Sequence, residues 1–390
     1  MNIKAEWATS IRPPLRIAGL FAGIGGFELG LGRSGHEATY FCELDTAARA
    51  VLNSRFPSVE FVADVREIGV LPKEIDIVTA GFPCQDLSSS GLKAGIEGSR
   101  SSLVAEVFRI IERRPVEWIL IENVHFMLHL AKGAGIRAIT DHLSRLGYNW
   151  AYRVMDSNSF GLPQRRRRVF LLASLSHDPR DVLLSDDHLT HSRDVPDISQ
   201  PIGFYWTEGT YATGLAANAI PPLKGGSAIG IPSPPAILMP DGEVGTPDIN
   251  DAERFQGFPE GWTIDAARDH KATLRWKLVG NAVSVNAAEW LGKKLRCPHS
   301  YDSNGDLPLN RDKTWPNAAW SMGKGAFASK ASAYPADYKA PALDVFLSHK
   351  LKPLSHRATS GFLSRAKKGN LRFPEGFIQT LERNLENANG

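Results

Sequence analysis

The amino-acid sequence predicts an α/β protein: a doubly wound, mostly parallel sheet, joined to a smaller loop-rich domain and a C-terminal extension. Three observations carry this. Over the first 175 residues, short apolar runs alternate with helical stretches, the rhythm of strand–helix–strand units. A glycine loop, Phe21-Ala22-Gly23-Ile24-Gly25-Gly26-Phe27, separates the first apolar run from the first helical stretch. From about 176 to 250 the rhythm gives way to Pro, Gly and Ser, as in Pro221-Pro222-Leu223-Lys224-Gly225-Gly226.

The elements follow in order. Leu15 to Phe21 reads as the first strand, and a helix begins at about Phe27. Further strands are expected at Ala38–Cys42, Ile75–Ala80, Trp118–Ile121 and Arg168–Ala173, with helices at Thr46–Phe56, Leu103–Glu112 and Ala134–Leu146. Helical order returns at Asp251–Phe255 and at Asn281–Lys294. These elements suggest a catalytic and cofactor-binding unit over 1–175, a loop-rich unit over 176–270, a helix returning to the first unit over 271–297, and an extension over 298–390. In the extension, helices are expected at about Thr359–Lys368 and Glu375–Asn387.

Composition excludes several classes. Of 390 residues, 43% are hydrophobic and 22% charged, an ordinary globular balance. Cys42, Cys84 and Cys297 are too few for a disulfide framework or a zinc site, so no metal and a reducing cytoplasm are expected. No apolar run is long enough to span a membrane, and the N-terminus lacks a charged-then-apolar pattern, so no membrane partner is expected. The net charge of +3 is unevenly spread: residues 298–390 hold 13 Lys/Arg against 8 Asp/Glu. Two readings of the extension stay open, a packed appendage that stabilises the large domain and a contact with phosphates flanking a nucleic-acid site, and the excess charge tips slightly towards the second.

The chemistry concentrates at strand ends. Gly81-Phe82-Pro83-Cys84-Gln85 follows the apolar run Ile75–Ala80, which puts Cys84 in the loop at a strand's C-terminal end, where open α/β sheets bind ligands. Pro83 fixes the backbone before the thiol, and a thiol so presented is a candidate nucleophile. Glycines between a strand and a helix let backbone amides approach an anionic group. A dinucleotide fingerprint would need a glycine where Glu28 stands, so a nicotinamide cofactor is disfavoured. Glu43, 20 residues after Gly23, stands where a carboxylate binds ribose hydroxyls, and Asp64 occupies the equivalent place after a third short strand, within reach of an adenine amino group. Loop and acids together suggest an adenosine-containing cofactor without a pyrophosphate. Glu122, in Ile121-Glu122-Asn123-Val124, emerges at the same sheet edge as Cys84, and half-burial should raise its pKa, as proton donation requires. In Gln164-Arg165-Arg166-Arg167-Arg168, alternation along an extended chain puts Arg166 and Arg168 on one side and Arg165 and Arg167 on the other.

These motifs, in this order, resemble the DNA cytosine-5 methyltransferase family, of the bacterial or phage restriction-modification type. The resemblance spans about residues 15–296 and includes Gln256-Gly257-Phe258-Pro259 and Gly280-Asn281-Ala282-Val283. It implies a Rossmann-like fold, S-adenosylmethionine as methyl donor and a flipped-out cytosine in double-stranded DNA as acceptor. By resemblance, Cys84 attacks carbon 6, Glu122 holds the N3 and amino edge, and Arg166 and Arg168 contact the base. Phe21, Ile24, Gly26, Glu43, Asp64, Gly81, Pro83, Leu103 and Asn281 would hold the cofactor, and Gln85, Ser88, Gln164 and Arg165 would meet DNA. The region over about 176–250 would read the target, with Pro222-Leu223 where relatives carry Thr-Leu. The resemblance also implies a monomer serving beside a cognate restriction endonuclease that it does not bind. Related tRNA methyltransferases carry a Cys-Phe-Thr tripeptide, which is absent here.

Overall fold

The structure, a computed structural model, describes residues 11–82, 103–188, 195–225, 234–268 and 273–387. Its centre is a ten-stranded sheet. In chain order its first strands are β1 (Arg16–Leu20), β2 (Glu37–Cys42), β3 (Glu60–Val62), β4 (Ile77–Ala80), β5 (Trp118–Val124), β6 (Asn149–Asp156) and β7 (Arg167–Ser174). The strands β5, β4, β1, β2 and β3 lie side by side and parallel. That order reverses direction between β1 and β4, the crevice at which open α/β sheets bind ligands.

Alternation along each strand sorts the core. Ala18, Leu20, Ile119 and Ile121 face one side, against α3 (Leu103–Arg113) and α4 (Ala134–Arg145). Ile17, Trp118 and Leu120 face the other, where α1 (Gly26–Arg33) and the later helix α8 (Val285–Arg296) pack. Between β2 and β3, α2 (Thr46–Arg55) starts at Asp45, whose carboxylate accepts from the amides of Ala47 and Ala48.

The sheet is mixed. β7 runs antiparallel to β5, and β6 antiparallel to β7. The sequence expectation of a mostly parallel sheet therefore describes only the half that carries β1 to β5. β6 was not anticipated: its Trp, Tyr, Val and Met residues are buried on both faces, so the alternation that marks a half-exposed strand is missing.

A second, five-stranded sheet contains β8 (Ile202–Phe204), β9 (Ala216–Ala217), β10 (Ala236–Leu238) and β11 (Val244–Thr246), ordered β11-β10-β8-β9. Behind it in sequence come α6 (Ile249–Phe255) and α7 (Thr273–Asn281), then α8; α5 (Arg180–Leu183) links the two sheets.

Residues 298–387 are divided between the two sheets. β12 (Leu307–Pro308), β13 (Ala318–Ser321) and β14 (Ala326–Ala328) extend the large sheet, with β13 pairing antiparallel to β6 and buried along its length. After α9 (Leu343–Phe346), β15 (Lys352–Pro353) pairs with β11. α10 (His356–Lys368) and α11 (Phe377–Asn387) then cover one face of the small sheet, where Phe362, Leu363, Phe377 and Leu381 meet Ile202, Phe204 and Leu238. These strands carry little signal in the sequence because they are two to four residues long, and β13 and β15 find their partners β6 and β11 more than 100 residues away.

Candidate active site

The glycine loop turns from β1 into α1 with Phe21 at φ 54° and Gly25 at φ 82°. Gly25 caps the helix in the left-handed region, and a Cβ there would also meet the Phe56 ring at 2.8 Å. Phe21, a bulky residue in the same region, is strained, as residues at ligand-holding turns often are. One wall of the site is thus backbone, with the N-terminus of α1 behind it.

Glu43 closes the loop from the end of β2. Its Oε2 accepts from the amide of Gly23 at 2.7 Å and its Oε1 from the amide of Asp45 at 2.8 Å. Each oxygen keeps a lone pair for a further donor. Burial pushes its pKa up, and the backbone amides hold it down. Asp64 follows β3 and accepts from the Arg66 guanidinium and amide, which hold its pKa at about 2.

Register brings the next groups together. Ala80 of β4 pairs with Ile121 of β5, so Gly81 stands level with Glu122. A Cβ on Gly81 would lie 3.8 Å from Glu122 Oε2. Glu122 is buried, and Arg168 Nε lies 3.2 Å from its Oε1. Burial raises the Glu122 pKa, opposed by the charges of Arg168 and Arg166. Beside it, Asn123 donates through Nδ2 to the carbonyl of Phe82 at 3.0 Å, fixing the chain just before Pro83. Asn123 was not anticipated as a positioning residue, although it adjoins Glu122 in the motif. Pro83, Cys84, Gln85 and Ser88 lie outside the described residues.

The described residues enclose a cleft of about 820 Å³. Phe21, Glu43, Asp64, Gly81, Leu103, Glu122, Arg166, Arg168 and Asn281 all line it, as do Lys277 and Asp45, which pair at 3.1 Å. A carboxylate with free lone pairs, an acid beyond the third strand and a backbone-walled turn fit a nucleoside bearing a charged tail.

Four expected contacts are corrected. Ile24 is 1% exposed; its side chain packs in the core behind the loop and its carbonyl accepts from Trp262 Nε1. Gly26 abuts α8's approach, where a Cβ would fall 2.6 Å from the Val283 carbonyl, so it serves helix packing. Gln164 is fully buried and cannot meet DNA: its Nε2 donates to the Phe255 carbonyl and its Oε1 accepts from the Leu223 amide. Arg166, 1% exposed, does share Arg168's side, but its guanidinium is committed to the protein. Nη1 donates to the Leu223 carbonyl at 2.9 Å, and Nη2 to those of Gly280 and Ala282 at 3.2 and 2.9 Å. Burial lowers its pKa to about 9, still cationic at neutral pH. It clamps β7 to the segments that carry Pro222-Leu223 and Gly280-Asn281.

Arg165 and Arg167 point to the opposite side, into an open groove of about 600 Å³ between the two sheets. Its other walls include His125, Asp156, Leu215, Ala217 and Pro222. Arg167 lies 3.5 Å from Asp156, and Arg165 has a buried Nε with no partner.

Known proteins share this construction. The family model "C-5 cytosine-specific DNA methylase" matches residues 15–212. The chain is 49% identical to Type II methyltransferase M2.BsuMI of Bacillus subtilis (strain 168), over 95% of this chain and 98% of that protein. It is 34% identical to Type II methyltransferase M.BsuFI of Bacillus subtilis, over 68% of each. In fold it is similar to the S. pombe Dnmt2 methyltransferase, with a TM-score of 0.53, 18% identity, and coverage of 72% of this chain and 98% of that one. With a family model running from β1 into the second sheet and a relative aligned along almost the whole length, the chain belongs to the C-5 cytosine-specific DNA methylase family and is a DNA cytosine-5 methyltransferase.

Proposed function

We propose that the enzyme modifies a specific double-stranded DNA sequence, as the modification partner of a restriction endonuclease, through a covalent adduct on Cys84. The observation that carries this is the level placement of Gly81 beside Glu122, with the Glu122–Arg168 pair facing the same cleft as Glu43 and the glycine loop. Cys84 follows Gly81 by three residues.

S-adenosylmethionine, when bound, supplies an electrophilic methyl group. Glu43 would hold the ribose hydroxyls, Asp64 the adenine amino group, and Phe21, Gly81, Leu103 and Asn281 the remaining walls. A cytosine inside a duplex cannot reach the cleft, so the base turns out of the stack at a cost of about a few kcal/mol. The Cys84 thiolate forms a bond to carbon 6 while Glu122 hydrogen-bonds the base edge and stabilises protonation at N3. Electron density so delivered to carbon 5 would take up the methyl group as its bond to the sulfonium sulfur breaks, the electron pair of that bond leaving with S-adenosylhomocysteine. Loss of the carbon 5 proton to a base regenerates the carbon 4–carbon 5 double bond. Expulsion of the Cys84 thiolate with the carbon 6–sulfur electron pair, and release of the N3 proton, then restore the aromatic ring. Arg168 keeps Glu122 in place and partners its charge. The groove with Arg165 and Arg167 would follow the DNA backbone, and the second sheet would read the bases.

A duplex carrying 5-fluorocytosine at the target tests the scheme, because fluorine cannot leave as a proton does. With S-adenosylmethionine present, a denaturation-resistant adduct should form with the native protein and fail to form with Cys84→Ser. Absence of an adduct in an active preparation would rule out attack by Cys84.

A further inference from the structure

The first turn of α1 carries a carboxylate that the methyl-transfer scheme leaves unused. Glu28 is 2% exposed. Its Oε1 accepts from the Thr79 hydroxyl at 2.9 Å, and its Oε2 is buried with no partner. Room for it has been made on β1: a Cβ on Gly19 would collide with Glu28 Oε1.

Glu28 lines a small cavity of about 40 Å³ together with Phe21, Gly23, Thr79, Gly81 and Asn281. Phe21, Gly23, Gly81, Glu122 and Asn281 line both this cavity and the large cleft, so the two adjoin. The volume suffices for an ammonium group. Each neighbouring carboxylate already has donors of its own, Glu43 two backbone amides, Asp64 the Arg66 guanidinium and Glu122 the Arg168 side chain. Glu28 forms no ion pair among the described residues, an expensive state for a buried acid unless it holds a proton or finds a cation. Consistent with this, burial lifts its pKa to about 7.

We propose that Glu28 receives the α-ammonium of the methionyl end of S-adenosylmethionine, which makes it a cofactor-binding residue. The proposal rests on the cofactor assigned above. The tail of that cofactor is a zwitterion. Its carboxylate suits the backbone amides and dipole at the start of α1, and its ammonium needs a buried acceptor close by. Glu28 is in the first turn of that same helix, with an oxygen free to accept.

Calorimetric binding of S-adenosylhomocysteine, and of the analogue with hydrogen in place of the α-amino group, tests this without turnover. The native protein should prefer S-adenosylhomocysteine by about tenfold or more, the scale of one charge-assisted hydrogen bond. Glu28→Gln should lose that preference while binding the analogue as the native protein does. Glu28→Asp, which keeps the charge but withdraws the oxygen by one methylene, should show a reduced preference and serves if the Gln variant does not fold. Equal affinity of the native protein for both ligands, or an undiminished preference in either variant, would overturn the proposal. No binding of either ligand to the native protein would instead remove the cofactor assignment.

Discussion

Replacing Arg166 by alanine should cost stability before it costs chemistry. The side chain is buried, and three carbonyls from two distant segments accept from it at 2.9 to 3.2 Å. Hydrogen bonds from a charged donor contribute about 1.5–3 kcal/mol each. Truncation also leaves three carbonyls unpaired and a cavity where the guanidinium was. The carbonyls can be partly rescued by entering water, so the contributions do not add fully, and a loss of about 3–5 kcal/mol is expected, the range for a broken buried polar cluster. Against a total stability of about 5–15 kcal/mol this is a large fraction. Urea unfolding followed by circular dichroism measures it, and the midpoint should fall with little change in slope. Arg166→Lys keeps a cation but cannot fork to three acceptors, so it should fall between alanine and native. A stability within about 1 kcal/mol of native, with the methylation rate lost, would show that Arg166 acts on the substrate and that the clamp is incidental.

Three further outcomes follow from the geometry. Glu28 has a folded pKa of about 7, above its ordinary 4.5, so protonation favours the folded state and stability declines as pH rises from about 4.5 to 7. Glu28→Gln should remove that slope and raise stability at pH 8 by up to about 3 kcal/mol; thermal melts across this range that keep the native slope would contradict it. Arg165→Ala should lower the log–log salt slope of DNA binding by about 0.9 while leaving the methylated sequence unchanged, and a changed sequence would mean that Arg165 reads bases. A chain ending at Cys297 should be insoluble, because it loses Trp315, Leu343, Phe346, Phe362, Leu363, Phe377 and Leu381 from the cores, on the order of 10 kcal/mol of apolar burial. A soluble fragment that unfolds cooperatively would refute this and return the tail to a DNA-contacting appendage.

Much of the site was legible because its residues sit at the ends of strands that announce themselves. The run Ile75–Ala80 and the run Trp118–Ile121 each read as a buried strand, and parallel pairing then brings the residues after them, Gly81 and Glu122, to one level. Glu43 and Asp64 were found the same way. Side-chain direction was also readable for the four arginines, since alternation put Arg165 and Arg167 in one groove and Arg166 and Arg168 toward the cleft. Their tasks were not. Arg166 and Gln164 point to carbonyls and amides contributed by residues about 60 to 115 positions away, and nothing local marks those as partners.

The sequence by itself therefore determined the class of fold, the parallel half of the sheet, the family and the acids that face the cleft. All of these depend on periodicity or on short motifs, which act over a few residues. Tertiary structure alone decided that the large sheet is completed by β6, β13 and β14, and that the C-terminal helices cover the second sheet. It also decided which polar groups were spent on holding the fold and which kept a free atom. Burial and partnership are set by what arrives from the rest of the chain. Thr79, a cleared space at Gly19 and an adjoining cavity turn Glu28 from one more helical glutamate into a buried acid with an oxygen left over.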